Sequence, residues 1–330
     1  MRENTPPYSI TNEMVDLVSK ISEKLGKISN YREFETKPYL RKNNRIRSIH
    51  SSLAIEANSL SLDEVRGVVD GKVVIGPQRE IQEVKNAYQA YEQIDKINPY
   101  SIDELKRIHG VMTYLTVEES GVFRRGEEGV FAGERCIFMA PPAKFVNDLM
   151  VDLFQWMKEE QGNVHPLILS SIFHYELVFI HPFADGNGRM ARLWQTCILA
   201  KWNPVFQYLP LESRIHAFQE EYYTAISRCH TEGSSNTFIL FMLEKIDETL
   251  SLALQQAETS AAQTTEYVRR LLEVMEYDTP YTARRIMELL HLKSKETLRK
   301  HYIHPALEMG YICMGIPDKP TSRNQTYIKK

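Results

Sequence analysis

Cysteine is scarce and scattered in this 330-residue chain: Cys136, Cys197, Cys229 and Cys313 show none of the short spacings that build a zinc site. They read as reduced packing residues. No apolar run is long and uninterrupted enough to span a bilayer, and no signal peptide follows Met1-Arg2-Glu3-Asn4, so the chain is expected in the cytoplasm. An excess of one charge is also missing, since 40 Lys and Arg face 43 Asp and Glu for a net charge of −3. That balance argues against a binder of nucleic acid or membrane over its whole surface. There is no internal repeat. The only low-complexity stretch, Gln255 to Thr265, reads as a linker or a helix extension.

What is present is mostly helical patterning. Thr11 can cap a first amphipathic helix whose Met14, Val18, Ile21 and Leu25 share a face. Further helices are predicted over Tyr39–Asn58, Gln78–Ile94, Ile102–Leu115, Lys144–Met157 and Val164–Ile180, with Gly-Pro and Asn-Pro breaks among them. Helices around Phe218 and Phe238 close the core.

The chemistry is concentrated in His181-Pro182-Phe183-Ala184-Asp185-Gly186-Asn187-Gly188-Arg189-Met190-Ala191-Arg192, which lies between two helical patterns and is read as a loop entering the second. An imidazole can take a proton from a hydroxyl, an aspartate can hold Mg²⁺, and glycines free backbone N–H groups to surround an anion at a helix N-terminus. Arg189 and Arg192, three apart, point the same way along a polyphosphate. Phe183 is expected to anchor the loop. Fragment by fragment, Asp-Gly-Asn-Gly is also ordinary turn chemistry and His-Pro an ordinary helix stop. The whole run describes a nucleotide site.

The run resembles the Fic family signature His-Pro-Phe-x-(Asp/Glu)-Gly-Asn-(Gly/Lys)-Arg-x-x-Arg at every specified position. The resemblance implies a protein adenylyltransferase that moves AMP from ATP to a hydroxyl side chain of a protein, possible targets including the chain itself. By position, His181 would be the general base and Asp185 the Mg²⁺ ligand. Gly186, Asn187 and Gly188 would form the anion cradle, Arg189 would bind the leaving phosphates, and Arg192 would reach the γ-phosphate. Glycine at 188, where kinase-like relatives carry Lys, favours AMP transfer. The resemblance also makes a homodimer an expectation and leaves AMP removal at the same site open.

Upstream, Ser51-Ser52-Leu53-Ala54-Ile55-Glu56-Ala57-Asn58 resembles the inhibitory motif (Ser/Thr)-x-x-x-Glu-(Gly/Asn) of self-restrained Fic proteins. Ser52 and Glu56 carry the match and would share a helical face, with Glu56 pairing bidentately with Arg192. The departure is Ala57, which is expected to let the helix run on or to change the angle of Glu56. On spacing alone, Glu56 also reads as a surface helix residue.

Gly121-Val122-Phe123-Arg124-Arg125, leading through Gly126 to Pro141-Pro142, suggests a β-hairpin. It resembles the Fic flap, which would hold a target segment as an added strand; Ile137, Phe138 and Met139 read equally as core. At the C-terminal end, Thr282–Leu290, a turn at His291-Leu292 and Ser294–Met309 resemble a winged helix-turn-helix. Its basic residues suit either a phosphate backbone or a protein-docking face, and Tyr302, Ile303, Leu307 and Met309 read as core. The expectation is therefore a mainly α fold: an N-terminal helical region over 1–115 with the inhibitory helix, a Fic helical core with a small hairpin over 116–255, a linker over 256–265 and a winged-helix domain over 266–330. The competing functional class is a nucleotide-sensing DNA-binding or regulatory protein acting through that last domain.

Overall fold

The computed structural model describes residues 5–29, 38–132, 135–263, 266–320 and 322–330; Met1–Asn4, Gly133, Glu134, Thr264 and Thr265 are among those outside them, as are the side chains of 130–137, including Cys136. Contacts divide the chain into a unit that includes Leu40–Ala253 and a unit that includes Leu254–Lys330.

The first unit opens with α1 (Asn12–Ser29), where Thr11 Oγ1 accepts from the Met14 amide at 3.3 Å and Met14 and Ile21 are wholly buried. Then follow α2 (Pro38–Ile55), α3 (Leu62–Val69), α4 (Gln78–Tyr91) and α5 (Ile102–Met112). The predicted helices 78–94 and 102–115 thus stop three residues early. Ser61 and Glu64 close a capping box at the start of α3.

Two antiparallel strands, β1 (Gly129–Ala132) and β2 (Arg135–Met139), form the hairpin, with a register shift between Val130 and Phe131. Met139 is 58% exposed, so its reading as core is wrong. Next comes α6 (Ala143–Glu159).

The centre is α7 (Pro166–Ile180) packed against α8 (Asn187–Trp202). Both helices are buried on nearly all sides, α7 being mostly apolar while α8 also buries Arg189, Arg192, Gln195 and Thr196, and Phe173, Leu177, Leu193 and Trp194 are fully buried. Pro166 at the first turn and the His165 Nδ1 acceptor for the Leu167 amide set the start of α7, two residues later than predicted. Helices α9 (Leu211–Ala217), α10 (Gln219–Glu232) and α11 (Asn236–Gln263) complete the order. Phe218 is a non-helical joint between α9 and α10, and the low-complexity stretch continues α11 as far as Gln263.

The second unit holds α12 (Glu266–Val274), α13 (Ala283–Leu289), a helix that runs Lys295–Thr297 into a π-helical stretch Leu298–Ile303 and on to His304–Glu308, and a sheet ordered β3 (Pro280–Thr282), β5 (Thr326–Lys329), β4 (Ile312–Met314). Val268, Leu271, Ile286, Leu298, Tyr302 and Ile303 form its core. Met309, expected there, is 38% exposed.

Candidate active site

The site is built where α7 stops. His181 caps that helix with φ 52° and ψ 57°, in the left-handed region, while its amide still donates to Leu177 O at 3.0 Å. The imidazole Nδ1 lies 3.3 Å from Val178 O. A carbonyl only accepts, so Nδ1 carries the proton and Nε2 is left as the basic atom. Burial pulls the pKa below the ordinary imidazole value, against the opposing pull of Val178 O and the Glu128 carboxylate.

The loop from 181 to 187 is closed by its own side chains. Asn187 Oδ1 accepts from the Phe183 amide at 2.9 Å, and Asn187 Nδ2 donates to Phe183 O at 2.7 Å. Asn187 is 2% exposed, so its side chain is committed to holding the turn. Phe183 is fully buried and stacks on His109 with ring centroids 3.7 Å apart and 4° between planes. Gly186 takes φ 85° as it leads into α8, with its amide 2.5 Å from Asp185 Oδ1. A Cβ there would also sit 3.1 Å from Thr113 Cγ2.

Asp185 is 38% exposed at its side chain and meets two arginines: Arg189 Nη2 donates to Oδ1 at 2.8 Å and Arg79 Nη2 to Oδ2 at 3.1 Å. Glu83 extends the cluster, 3.7 Å from Arg189 Nη1 and 3.5 Å from Arg79 Nε. The buried Arg189 side chain keeps Nε and Nη1 without a hydrogen-bond partner among the described residues. Unsatisfied buried guanidinium donors beside a carboxylate are what an anion completing the site would engage.

Arg192 turns to a different set of partners. Its Nε donates to Ser52 Oγ at 3.0 Å, and its Nη2 donates to Ser52 O at 3.0 Å and to Glu56 Oε1 at 2.7 Å. Burial works against this cation, but Glu56 beside it prevails and holds the pKa above the usual guanidinium value. The predicted pair is therefore formed with one correction: Glu56 takes one N–H, because Ser52 occupies the rest of that edge of the fork. The expectation that Arg189 and Arg192 serve one line is corrected as well, since Arg189 engages Asp185 and Glu83 while Arg192 engages α2.

The helix carrying Glu56 ends at Ile55 instead of running to Asn58. Ala57 adopts φ 64°, the left-handed turn that Gly or Asn enters more easily, and so reproduces the helix stop expected to fail here. Ser48 and Ser51 fasten α2 to α9: Ser48 Oγ donates to Glu212 Oε2 at 2.6 Å, and Ser51 Oγ lies 3.0 Å from Ser213 Oγ.

A cavity of about 480 Å³ opens beside these groups, and Glu56, His181, Gly188 and Arg192 line it together with Phe138, Tyr222, Tyr223 and His230 among others. Phe138, read as core or flap, faces this space from the hairpin; Asp185, Gly186, Asn187 and Arg189 do not line it. Beneath it, His174 Nδ1 lies 2.5 Å from Gln195 Oε1, and its Nε2 lies 3.0 Å from the Tyr222 hydroxyl. Burial lowers the pKa of His174 to about 3. Sequence reasoning missed His174, His109, Glu83 and Glu212, lone polar residues in helical patterns that carry no local signal of what they will meet.

Residues 99–199 match the Fic/DOC family, and residues 266–328 match the "Filamentation induced by cAMP protein Fic-like, C-terminal domain". A Fic family protein from Desulfovibrio desulfuricans G20 is 41% identical in sequence, and the two structures superpose with a TM-score of 0.73 over 99% of this chain and 98% of that one. The chain belongs to the Fic family. It is 31% identical over 218 residues to protein adenylyltransferase Fic of Drosophila grimshawi and 30% identical to that of Drosophila melanogaster. It spans about two-fifths of the length of these curated relatives, the matched share being 42% and 41% of each, while the match covers 62% of this chain. Fic-1 (residues 134–508) from C. elegans shares the fold, with a TM-score of 0.56 at 23% identity.

Proposed function

We propose that the protein is an adenylyltransferase that moves AMP from ATP to a hydroxyl side chain of a protein, itself included, and that Glu56 restrains it by holding Arg192. The observation that carries this reading is the joint approach of His181, Gly188, Arg192 and Glu56 to one cavity of about 480 Å³. Its size suits a nucleotide.

In the transfer, the acceptor oxygen attacks the α-phosphorus, a new O–P bond forms, the bond to the β-phosphate oxygen breaks and pyrophosphate departs. The hydroxyl proton passes to Nε2 of His181, which the Val178 contact leaves without one. Arg189, with two unsatisfied donors, would hold leaving phosphates, and Arg192, once free of Glu56, would reach the γ-phosphate. Gly186, Asn187 and Gly188 would serve the cradle through their backbone.

Among the described residues no three His, Cys, Asp or Glu side chains gather as a metal cluster. The Asp185 carboxylate, 38% exposed and paired with Arg79 and Arg189, could turn to a Mg²⁺ brought in on the phosphates, since that ion keeps waters and takes one or two carboxylates. When bound, Mg²⁺ supplies charge neutralisation to the phosphate oxygens.

With Arg192 held, the triphosphate cannot settle with its α-phosphorus in line, and misplacement of that size is costly in rate. The test is incubation with labelled ATP and Mg²⁺: Glu56→Gly raises incorporation, including into the chain itself, and Glu56→Gly with His181→Ala abolishes it. Equal labelling of the two variants would defeat the assignment. The same reading takes the chain to be a cytoplasmic homodimer. No helix among the described residues is long and apolar enough to cross a membrane, and Cys197, Cys229 and Cys313 are free thiols.

The second reading, a regulatory or DNA-binding role through a winged helix, is favoured by the three-stranded sheet beside α13 and the helix from Lys295, with Lys293, Lys295, Arg299 and Lys300 in that region. Salt-dependent DNA binding that survives His181→Ala would establish it as a separate activity.

A further inference from the structure

The segment 121–126 reaches both ends of the motif loop. At one end the Gly121 amide donates to His109 Nδ1 at 2.9 Å, so the opposite nitrogen, Nε2, carries the proton and donates to Asp185 O, also at 2.9 Å. At the other end stands Arg124, 3% exposed and with no carboxylate in hydrogen-bond contact among the described residues. Its Nε donates to His181 O at 2.7 Å, Nη1 to Gly126 O at 2.7 Å, and Nη2 to Pro141 O at 2.6 Å and Ile180 O at 3.4 Å. Its amide donates to Pro182 O at 2.9 Å. Gly126 and Pro141 flank the hairpin, so one planar group joins both feet of the hairpin to the carbonyl of the motif histidine.

We propose that Arg124 is a positioning residue for His181, fixing the imidazole against the hairpin that would present the acceptor by binding His181, Gly126 and Pro141 through their carbonyl oxygens. The kinetic part of this proposal rests on the AMP-transfer reading above. A guanidinium suits the task because its donors diverge in one plane, whereas an ammonium presents three donors from a single point and cannot span the same carbonyls. Arg124 does not line the cavity, which separates it from the groups that would hold ATP. It also acts electrically. The charged groups acting on His181 are Glu128 at the hairpin, Arg124 behind it and Glu56 at the end of α2, and of these Arg124 alone disfavours the protonated ring.

The experiment uses the full chain carrying Glu56→Gly and follows the His181 imidazole by NMR across pH, with AMP labelling in parallel. Expected for Arg124→Met is a rise in the His181 titration midpoint, as the nearby cation and the anchored geometry are lost together. With it goes a fall in kcat of roughly 100-fold at little change in KM for ATP. Arg124→Lys keeps the charge without the span, so its midpoint stays close to the parent while kcat still falls. An unchanged midpoint and kcat in Arg124→Met, with only the melting temperature lowered, would overturn the proposal, as would failure of both variants to fold. The titration does not depend on transfer: absence of labelling in the parent would sink the functional reading and leave the midpoint to judge Arg124.

Discussion

Glu56 occupies the space that the missing side chain of Gly188 leaves open: a Cβ on residue 188 would overlap Glu56 Oε1 and come within 3.1 Å of Arg192 Nη1. Glycine is required here by close approach, because residue 188 is helical. Gly188→Ala is expected to push the flexible end of Glu56 off Arg192 and raise basal AMP labelling several-fold, whereas the same change made in Glu56→Gly should not raise it. An equal rise in both backgrounds would show that residue 188 acts on the nucleotide alone.

Ala57 has φ 64°, a conformation that costs an L-residue about 1–2 kcal/mol. Ala57→Gly removes that strain and returns part of it as freedom of the unfolded chain, for a net gain of roughly 0.5 kcal/mol. The expected result is a small increase in urea midpoint with basal labelling still low, since Glu56 keeps its place. A clear loss of stability would contradict the strained-turn account.

Glu212 is 1% exposed and accepts from Ser48 Oγ at 2.6 Å, the Tyr91 hydroxyl at 2.9 Å and Thr196 Oγ1 at 3.4 Å. Glu212→Ala strands three hydroxyls at about 1 kcal/mol each, so urea unfolding should register a loss of about 3 kcal/mol. Ser48→Ala, on the helix leading to Glu56, should cost about 1 kcal/mol and also raise basal labelling. Thr196→Val, on α8, should cost stability without that rise.

Stability should fall with acid below pH 6.5. Burial takes His109 to about 4 and His174 to about 3, so the unfolded chain binds two protons near pH 6 to 4.5 that these groups refuse in the fold. Glu176 opposes them, because burial raises it to about 7 and the fold holds its proton while the unfolded carboxylate has released it. For these three groups, two against one leaves a net loss approaching about 1.4 kcal/mol for each unit the pH drops below 6. His50, His165, His181 and His230, all lowered by burial, add to the same side, and Glu244, raised by burial, opposes them. Urea midpoints that hold steady across this window would refute the balance.

The hairpin, the paired central helices and the helix leading to Glu56 could be read from local patterns: glycines flanking apolar residues, a continuous apolar stretch before His181, and helical patterning over Tyr39–Asn58. Boundaries were less legible because they depend on single residues such as Ala57, whose left-handed turn overrides the expectation from its type. The partners of polar residues were not legible. His109 to Asp185, Ser52 to Arg192 and Arg124 to His181 are separated by 76, 140 and 57 positions, and each exists only because the fold brings them together.

By itself, the sequence determined the family, the mainly helical class and the candidate chemical groups, because the motif run states base, acid, glycines and cations in one contiguous order. Only the tertiary structure decided how those groups are deployed: Arg192 turned toward Glu56, Arg189 toward Asp185, Asn187 spent on the loop, and His181 left with Nε2 unprotonated. The reason is physical. A side chain's type fixes what it can donate or accept, while burial and the neighbour it meets across the fold fix which of those capacities is already in use.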